Sequence, residues 1–207
     1  MNILEARQVF YYYTEGRPVL NGIDLGFEKG KMYVILGPSG CGKTTLLSLL
    51  GGMDVPNAGQ VIFNGKEIRE IGLERYRREG VSFVFQNYNL IDYMTPEENV
   101  CLTAKEEPLP VLARLGLTGE EARRNVLKLS GGQQQRVAIA RALASQAPVI
   151  LADEPTGNLD EATAREITAV FKDAAKTYGR CVVMVSHSNE VAKEADVVIT
   201  LHGGQVA

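Results

Sequence analysis

Short apolar runs alternate with stretches of helical period along this chain. Met32–Leu36, ending at Gly37, is continuously apolar and has the length of a buried strand. Val81–Phe85, Val149–Ala152, Cys181–Val185 and Val197–Leu201 share that character. Val61-Ile62-Phe63 before Asn64-Gly65 predicts a strand entering a turn. Thr44–Leu50 predicts a helix. From Thr95 to Ala144 the pattern is helical, and Thr95-Pro96-Glu97-Glu98 predicts a helix start: a cap, a proline at the first position, then acids favoured by the dipole. Glu161–Tyr178 predicts an amphipathic helix with Ile167, Val170, Phe171, Ala174, Ala175 and Tyr178 on one face. The first third is richer in strands and turns, with Gly22, Gly26 and Gly30 as its punctuation.

Strands alternating with helices imply an α/β fold with a largely parallel sheet. The helical block is expected as an insertion into that core, from about residue 87 to 145. A chain of 207 residues supports one sizeable core, so residues 1–207 are expected to form a single domain. With 45% hydrophobic and 23% charged residues, the composition argues against disorder. No apolar stretch approaches the ~18 residues of a membrane span. Met1–Glu5 lacks the basic-then-apolar pattern of a secretory leader. Three cysteines, Cys41, Cys101 and Cys181, lack metal-ligand spacing and fit a reducing compartment. A net charge of -3 argues against nucleic acid as a partner. The densest basic cluster, Arg75, Arg77 and Arg78, is diluted by Glu70, Glu74 and Glu79 and is expected to be a solvated surface.

Three stretches carry chemistry. Gly37-Pro38-Ser39-Gly40-Cys41-Gly42-Lys43-Thr44 matches the phosphate-loop pattern GxxxxGK[ST], between a predicted strand and a predicted helix. Its glycines let successive N–H groups curl around phosphate oxygens, and the helix start adds a positive dipole end. Lys43 is expected on the β- and γ-phosphates and the Thr44 hydroxyl on Mg²⁺. Gly37, Ser39, Gly40, Cys41, Gly42 and Thr45 complete the expected nucleotide cradle. Helix dipole and Lys43 both favour thiolate at Cys41, although a merely small residue would fit there too. The pattern by itself covers kinases, GTPases and many ATPases. Val149-Ile150-Leu151-Ala152-Asp153-Glu154 is an apolar strand ending in two carboxylates. Asp153 is placed to hold Mg²⁺ and Glu154 to polarise an attacking water. The third stretch, Leu129-Ser130-Gly131-Gly132-Gln133, is a helix start with exposed N–H groups, a hydroxyl and a positive dipole end. It is either a second anion site or a plainly capped helix.

Leu129–Gln133 resembles the LSGGQ signature of ABC ATPases, and it precedes the Asp153–Glu154 strand as it does in that family. The resemblance runs from about residue 3 to the end. It implies a P-loop NTPase of RecA-like core, with an N-terminal antiparallel β subdomain and an inserted helical subdomain. It implies ATP and Mg²⁺ as cofactors. Gln86 resembles the Q-loop glutamine, a ligand of Mg²⁺ and water; His187 the switch histidine on the γ-phosphate; Gly157-Asn158-Leu159-Asp160 the D-loop. Tyr13 is similar to the aromatic that stacks on adenine, with Tyr11 and Tyr12 as competitors. Ser130, Gly131 and Gly132 would contact ATP held by a second copy, in a head-to-tail dimer. A transmembrane permease subunit would be the other partner, with the chain cytoplasmic and peripheral on the inner face of the cell membrane.

Leu49–Asp54, Glu98-Asn99-Val100 and Ala152–Asp160 resemble cassettes of the macrolide-exporter and lipoprotein-releasing group. Tyr88–Asp92 resembles the antimicrobial-peptide exporters of that group. An exporter of peptide, lipoprotein or drug-like cargo is therefore expected. The alternative is an ABC ATPase of the cell-division type that signals to a membrane complex. ATPases of the DNA-repair type would carry long insertions between the motifs, and a P-loop kinase or GTPase leaves LSGGQ unexplained. Two departures stand out: Gln86–Leu129 is shorter than this branch leads one to expect, and little follows the last strand, so a C-terminal regulatory domain is not expected.

Overall fold

The computed structural model describes residues 1–157 and 159–206. The chain opens with two long strands, β1 (Asn2–Tyr11) and β2 (Leu20–Glu28), then a short third, β3 (Met32–Leu36). Helix α1 (Lys43–Leu50) follows, then β4 (Ala58–Phe63) and β5 (Lys66–Glu67). Short helices α2 (Ile68–Ile71) and α3 (Leu73–Glu79) lead into β6 (Val81–Val84). Helices α4 (Pro96–Cys101), α5 (Pro108–Arg114), α6 (Gly119–Arg123) and α7 (Gly131–Ala144) come next. The remainder alternates: β7 (Val149–Asp153), α8 (Glu161–Lys176), β8 (Cys181–Val185), α9 (Asn189–Lys193), β9 (Val197–His202) and β10 (Gln205–Val206).

Two sheets result. One is antiparallel, in the order β2-β1-β4-β5. The other runs β10-β9-β3-β8-β7-β6, parallel throughout except for β10 at its edge. The central strands β3, β7 and β8 read as unbroken apolar runs because both of their faces are covered, whereas β9 buries one face and leaves Val198 and Thr200 exposed on the other. In β8 the alternation divides one strand between two cores. Val182 and Met184 join Val34, Ile150 and Ala152 on the side of α7 and α8. Cys181, Val183 and Val185 join Tyr33, Ile35 and Leu151 on the side of α1 and the antiparallel sheet. Leu46, Leu47, Leu49 and Leu50 of α1 are buried in that second core. At roughly 1.5–3 kcal/mol for each fully buried Leu, they fix the helix to the sheet. That anchoring is what presents the first turn of α1 at the sheet's edge.

The helix start expected at Thr95 is present as a closed capping box. Thr95 Oγ1 accepts from the Glu98 N–H, the Glu98 carboxylate accepts from the Thr95 N–H, and Pro96 opens the helix. Thr118 and Glu121 form a second box at α6, legible as T-x-x-E but not singled out from the sequence.

Two expectations are corrected. Gly22 and Gly26 lie inside β2 and do not terminate it. Glycine is used there for close approach: a Cβ on Gly26 would lie 2.3 Å from the Asn2 side chain. Tyr178 does not belong to the apolar face of α8. The helix ends at Lys176, and Tyr178 is half exposed, with the Arg114 guanidinium 5.4 Å from its ring centre. Among the described residues no helix is long and apolar enough to cross a membrane.

Candidate active site

The phosphate-loop segment joins β3 to α1 under tight constraint. A Cβ on Gly37 would lie 2.2 Å from the Leu201 carbonyl oxygen, so nothing larger than glycine fits. Gly42, the cap residue of α1, has φ 103, a left-handed conformation that favours glycine. Lys43 is buried, and its ammonium donates to the Gly37 and Pro38 carbonyls at 2.8 and 2.9 Å. The loop thus closes on its own lysine.

The C-terminal ends of four neighbouring parallel strands meet at this loop, the edge where ligands bind in open α/β sheets. A pocket of about 550 Å³ is lined there by Tyr13, Val19, Ser39, Gly40, Gly42, Lys43, Thr44, Thr45, Gln86, Glu154 and His187. Asp153, at the end of β7, lies behind it and is buried. Burial pushes its carboxyl above the ordinary range, and the neighbouring Glu154 adds to this. The Thr44 hydroxyl, Lys43 and His187 act against it. Glu154 adopts φ 46, unusual for a residue with a side chain. Its N–H donates to the Val185 carbonyl at 3.0 Å, which ties the turn after β7 to the end of β8. His187, just past β8, brings Nε2 to 2.6 Å from Glu154 Oε1. Gln86 enters from the turn after β6 and is exposed.

The three tyrosines separate cleanly. Tyr11 is buried, and its hydroxyl donates to Asp54; this bond and burial push its pKa up to about 12. The Tyr12 N–H is held by the Asn57 side chain at 2.8 Å. Tyr13 lies past the strand end, 72% exposed, with its hydroxyl 3.1 Å from Thr45 Oγ1. Of the three, Tyr13 lines the pocket. Val19 lines it too and carries no sequence signal; the β1–β2 connection brings it there.

Other expected residues lie elsewhere. The Cys41 side chain is buried in the second core, with Sγ 4.0 Å from Lys43 Nζ, and it does not line the pocket. Ser130, Gly131 and Gly132 do not line the pocket. Ser130 Oγ accepts from the Gln133 N–H at 3.3 Å, while Gln133 Oε1 accepts from the Ser130 N–H at 2.9 Å. The plain-cap arrangement considered from the sequence is therefore present, on an exposed surface. Asp160 caps α8 by accepting from the Thr163 N–H at 3.0 Å, which holds its carboxyl below the usual range. Asn158 of the same stretch lies outside the described residues.

The oxygen donors of Thr44, Gln86 and Asp153 are a hydroxyl, an amide and a carboxylate. That hard, carboxylate-poor set fits Mg²⁺, which takes one or two carboxylates and completes its shell with water and substrate phosphates.

Comparison with known proteins bears on the same residues. The ABC transporter family model matches residues 20–157, more than half of the chain. The ABC transporter ATP-binding protein YclH of Bacillus subtilis is 45% identical, over 99% of this chain and 95% of its own length. The macrolide export ATP-binding/permease protein MacB of Marinobacter nauticus is 39% identical over 99% of this chain, which spans 34% of MacB. Among solved structures, two dimers of the ABC transporter cassette MJ0796 superpose with TM-scores of 0.91 and 0.89, at 36% and 34% identity. Each covers 98% of this chain and 96% of MJ0796, and one is a post-hydrolysis state bound to ADP and Pi. With a phosphate loop, a carboxylate pair and an LSGGQ helix on this fold, the chain belongs to the ABC transporter family and is an ATP-binding, ATP-hydrolysing cassette.

Proposed function

We propose that this cassette drives a separate membrane permease that exports peptide, lipoprotein or drug-like cargo, working peripherally at the inner face of the cell membrane. The observation that carries the chemical part is the gathering of Lys43, Thr44, Gln86, Asp153, Glu154 and His187 at one end of the parallel sheet. The transport part is supported by the ATP-binding/permease name of MacB. Residues 1–207 act as one cassette, and the helices between β6 and β7 form its inserted helical part, about residues 87–145.

Tyr13 stacks on adenine beside Val19. The Lys43 ammonium exchanges the Gly37 and Pro38 carbonyls for phosphate oxygens, and the N–H groups of Ser39–Thr45 receive the rest. Thr44, Gln86 and Asp153 hold Mg²⁺, which when bound neutralises charge on the β- and γ-phosphates. Glu154 accepts the proton of a water whose oxygen bonds to the γ-phosphorus. The bond from that phosphorus to the bridging oxygen breaks, leaving ADP and inorganic phosphate. His187 turns its Nε2 from Glu154 to the γ-phosphate and steadies it. Ser130, Gly131 and Gly132 serve ATP held by a second copy, in a head-to-tail dimer with one self-complementary interface; Asp160 lies at the same interface.

Glu154→Gln tests the assignment, because it keeps the shape and removes the base. Turnover should drop by roughly 10²–10⁴-fold while ATP still binds. Near-parental steady-state hydrolysis by the purified variant removes Glu154 from the role.

A further inference from the structure

The signature helix α7 reaches the loop that carries Gln86 at both of its ends: the Tyr88 hydroxyl lies beside Gly131 at the helix start, and a side chain of the last turn holds the loop's backbone. Arg141, in the last turn of α7, donates to the Asn89 carbonyl at 2.7 Å and to the Tyr88 carbonyl at 2.9 Å. Both acceptors belong to left-handed residues, with φ 60 at Tyr88 and 48 at Asn89. Consecutive non-glycine residues in that region persist only when their surroundings hold them there. The turn is wound tightly around Gln86: the Tyr88 N–H donates to the Phe85 carbonyl at 3.1 Å, and the Asn89 N–H to the Asn87 carbonyl at 2.6 Å. A planar guanidinium can reach two adjacent carbonyls as a fork, which a lysine ammonium cannot copy. Arg141 is partly buried, and this burial lowers its pKa from the ordinary value. Such a cation is retained only with good acceptors, and here these two are backbone oxygens of the loop.

We propose that Arg141 is a positioning residue for hydrolysis: its fork fixes the 86–89 turn and so sets where Gln86 stands over the phosphates. This rests on the role proposed for Gln86. The same fork makes the turn move with α7, whose other end carries Ser130. A plainly structural staple would cost stability and leave the chemistry alone.

The experiment compares Arg141→Met, Gln86→Ala and the double variant in three measurements: steady-state hydrolysis, calorimetric ATP titration, and hydrogen exchange at the Tyr88 and Asn89 amides. Arg141→Met should lower kcat roughly 10- to 100-fold, the scale of a displaced catalytic group, with ATP affinity unchanged. Exchange at the two amides should quicken. The double variant should be no slower than Gln86→Ala, since both changes remove one function. Parental kcat or unchanged exchange in Arg141→Met, or losses that multiply in the double variant, overturn the proposal while the reading of Gln86 stands. Parental kcat in Gln86→Ala overturns the reading of Gln86 and the proposal with it. Should Arg141→Met not fold, Arg141→Lys replaces it, keeping the charge and losing the fork. Intermediate kcat and exchange support the proposal, and parental values for both overturn it.

Discussion

Helix α1 starts without a side-chain cap, whereas α7 starts inside a closed capping box. At α1 the cap position is Gly42, left-handed and pressed beneath Val19 and Leu20, where a Cβ would lie 2.8 Å from Leu20 Cδ2. The first residues of that helix line the pocket. At α7 the cap is Ser130, extended and exposed, and Gln133 returns its hydrogen bond. Gln133 is itself oriented, because its amide nitrogen donates to Glu121 Oε1 at 2.5 Å. A carboxylate only accepts, so the amide oxygen must face the Ser130 N–H. Every helix start carries N–H groups without intrahelical partners. The α1 start leaves them to the pocket and is shaped by backbone and Lys43. The α7 start satisfies part of its own need and keeps a serine hydroxyl free to donate outward. The first suits a ligand held within one subunit; the second suits a contact made by a preformed surface.

Lys43→Ala should separate the two most sharply. It removes a buried charge that the proposed mechanism places on phosphate, and hydrogen bonds to charged groups contribute roughly 1.5–3 kcal/mol. ATP affinity should fall by about 10- to 100-fold and hydrolysis should be lost, with nothing changed at the α7 start. Equal affinities for variant and parent in calorimetry would count against the phosphate assignment.

Ser130→Arg approaches the comparison from the other side. In the proposed head-to-tail dimer a long side chain on the α7 start would occupy the space of the partner's phosphate, while the α1 pocket is untouched. Monomeric ATP binding should be parental and the ATP-held dimer absent. Light scattering after size exclusion, in the Glu154→Gln background, reads this directly. A double variant that dimerises as readily as Glu154→Gln alone would remove the LSGGQ stretch from the second half of the site.

Gly42→Ala strikes the geometry of the first start. A left-handed non-glycine residue costs of order 1–3 kcal/mol, and here the new Cβ also meets Leu20. The melting temperature should fall by several degrees, at about 2–4 °C per kcal/mol for a chain of this size. An unchanged melting curve would mean that the loop relaxes freely.

What was legible in the sequence follows from how local each feature is. The phosphate loop, the Asp153–Glu154 strand end and the caps at Thr95 and Ser130 are written in consecutive residues, because each is one turn of backbone. The central strands β3, β7 and β8 are legible as apolar runs because burial on both faces leaves no polar alternation; β9 is legible from its β-branched content although one face is exposed. Tyr13 is favoured over Tyr11 and Tyr12 by resemblance alone, since what separates them physically is where β1 ends and Asp54 taking the Tyr11 hydroxyl. Val19 and Arg141 carried no signal because their partners lie across the fold. Gly22 and Gly26 do not mark turns: glycine serves close approach as well as reversal, and only the neighbour across the sheet distinguishes them. The electropositive surroundings of Cys41 are legible in the sequence, while its burial depends on packing from across the fold.

The smallest effect expected is also the one that isolates the α7 cap from any ligand. Ser130→Ala deletes the hydroxyl that accepts the Gln133 N–H and leaves the helix otherwise unchanged. Losing such a cap costs about 1 kcal/mol. The melting temperature of the nucleotide-free protein should therefore drop by about 2–4 °C. Ser130→Thr, which keeps the oxygen, should recover most of that loss, since threonine caps nearly as well as serine. The α1 start offers no equivalent variant, because no side chain caps it. If Ser130→Ala melts with the parent while Ser130→Arg still abolishes the dimer, the serine matters at the interface alone and the box contributes nothing to the fold. If Ser130→Ala melts lower without nucleotide and also weakens the dimer, one hydroxyl serves both tasks: its lone pair holds the helix and its proton is offered to the partner's phosphate.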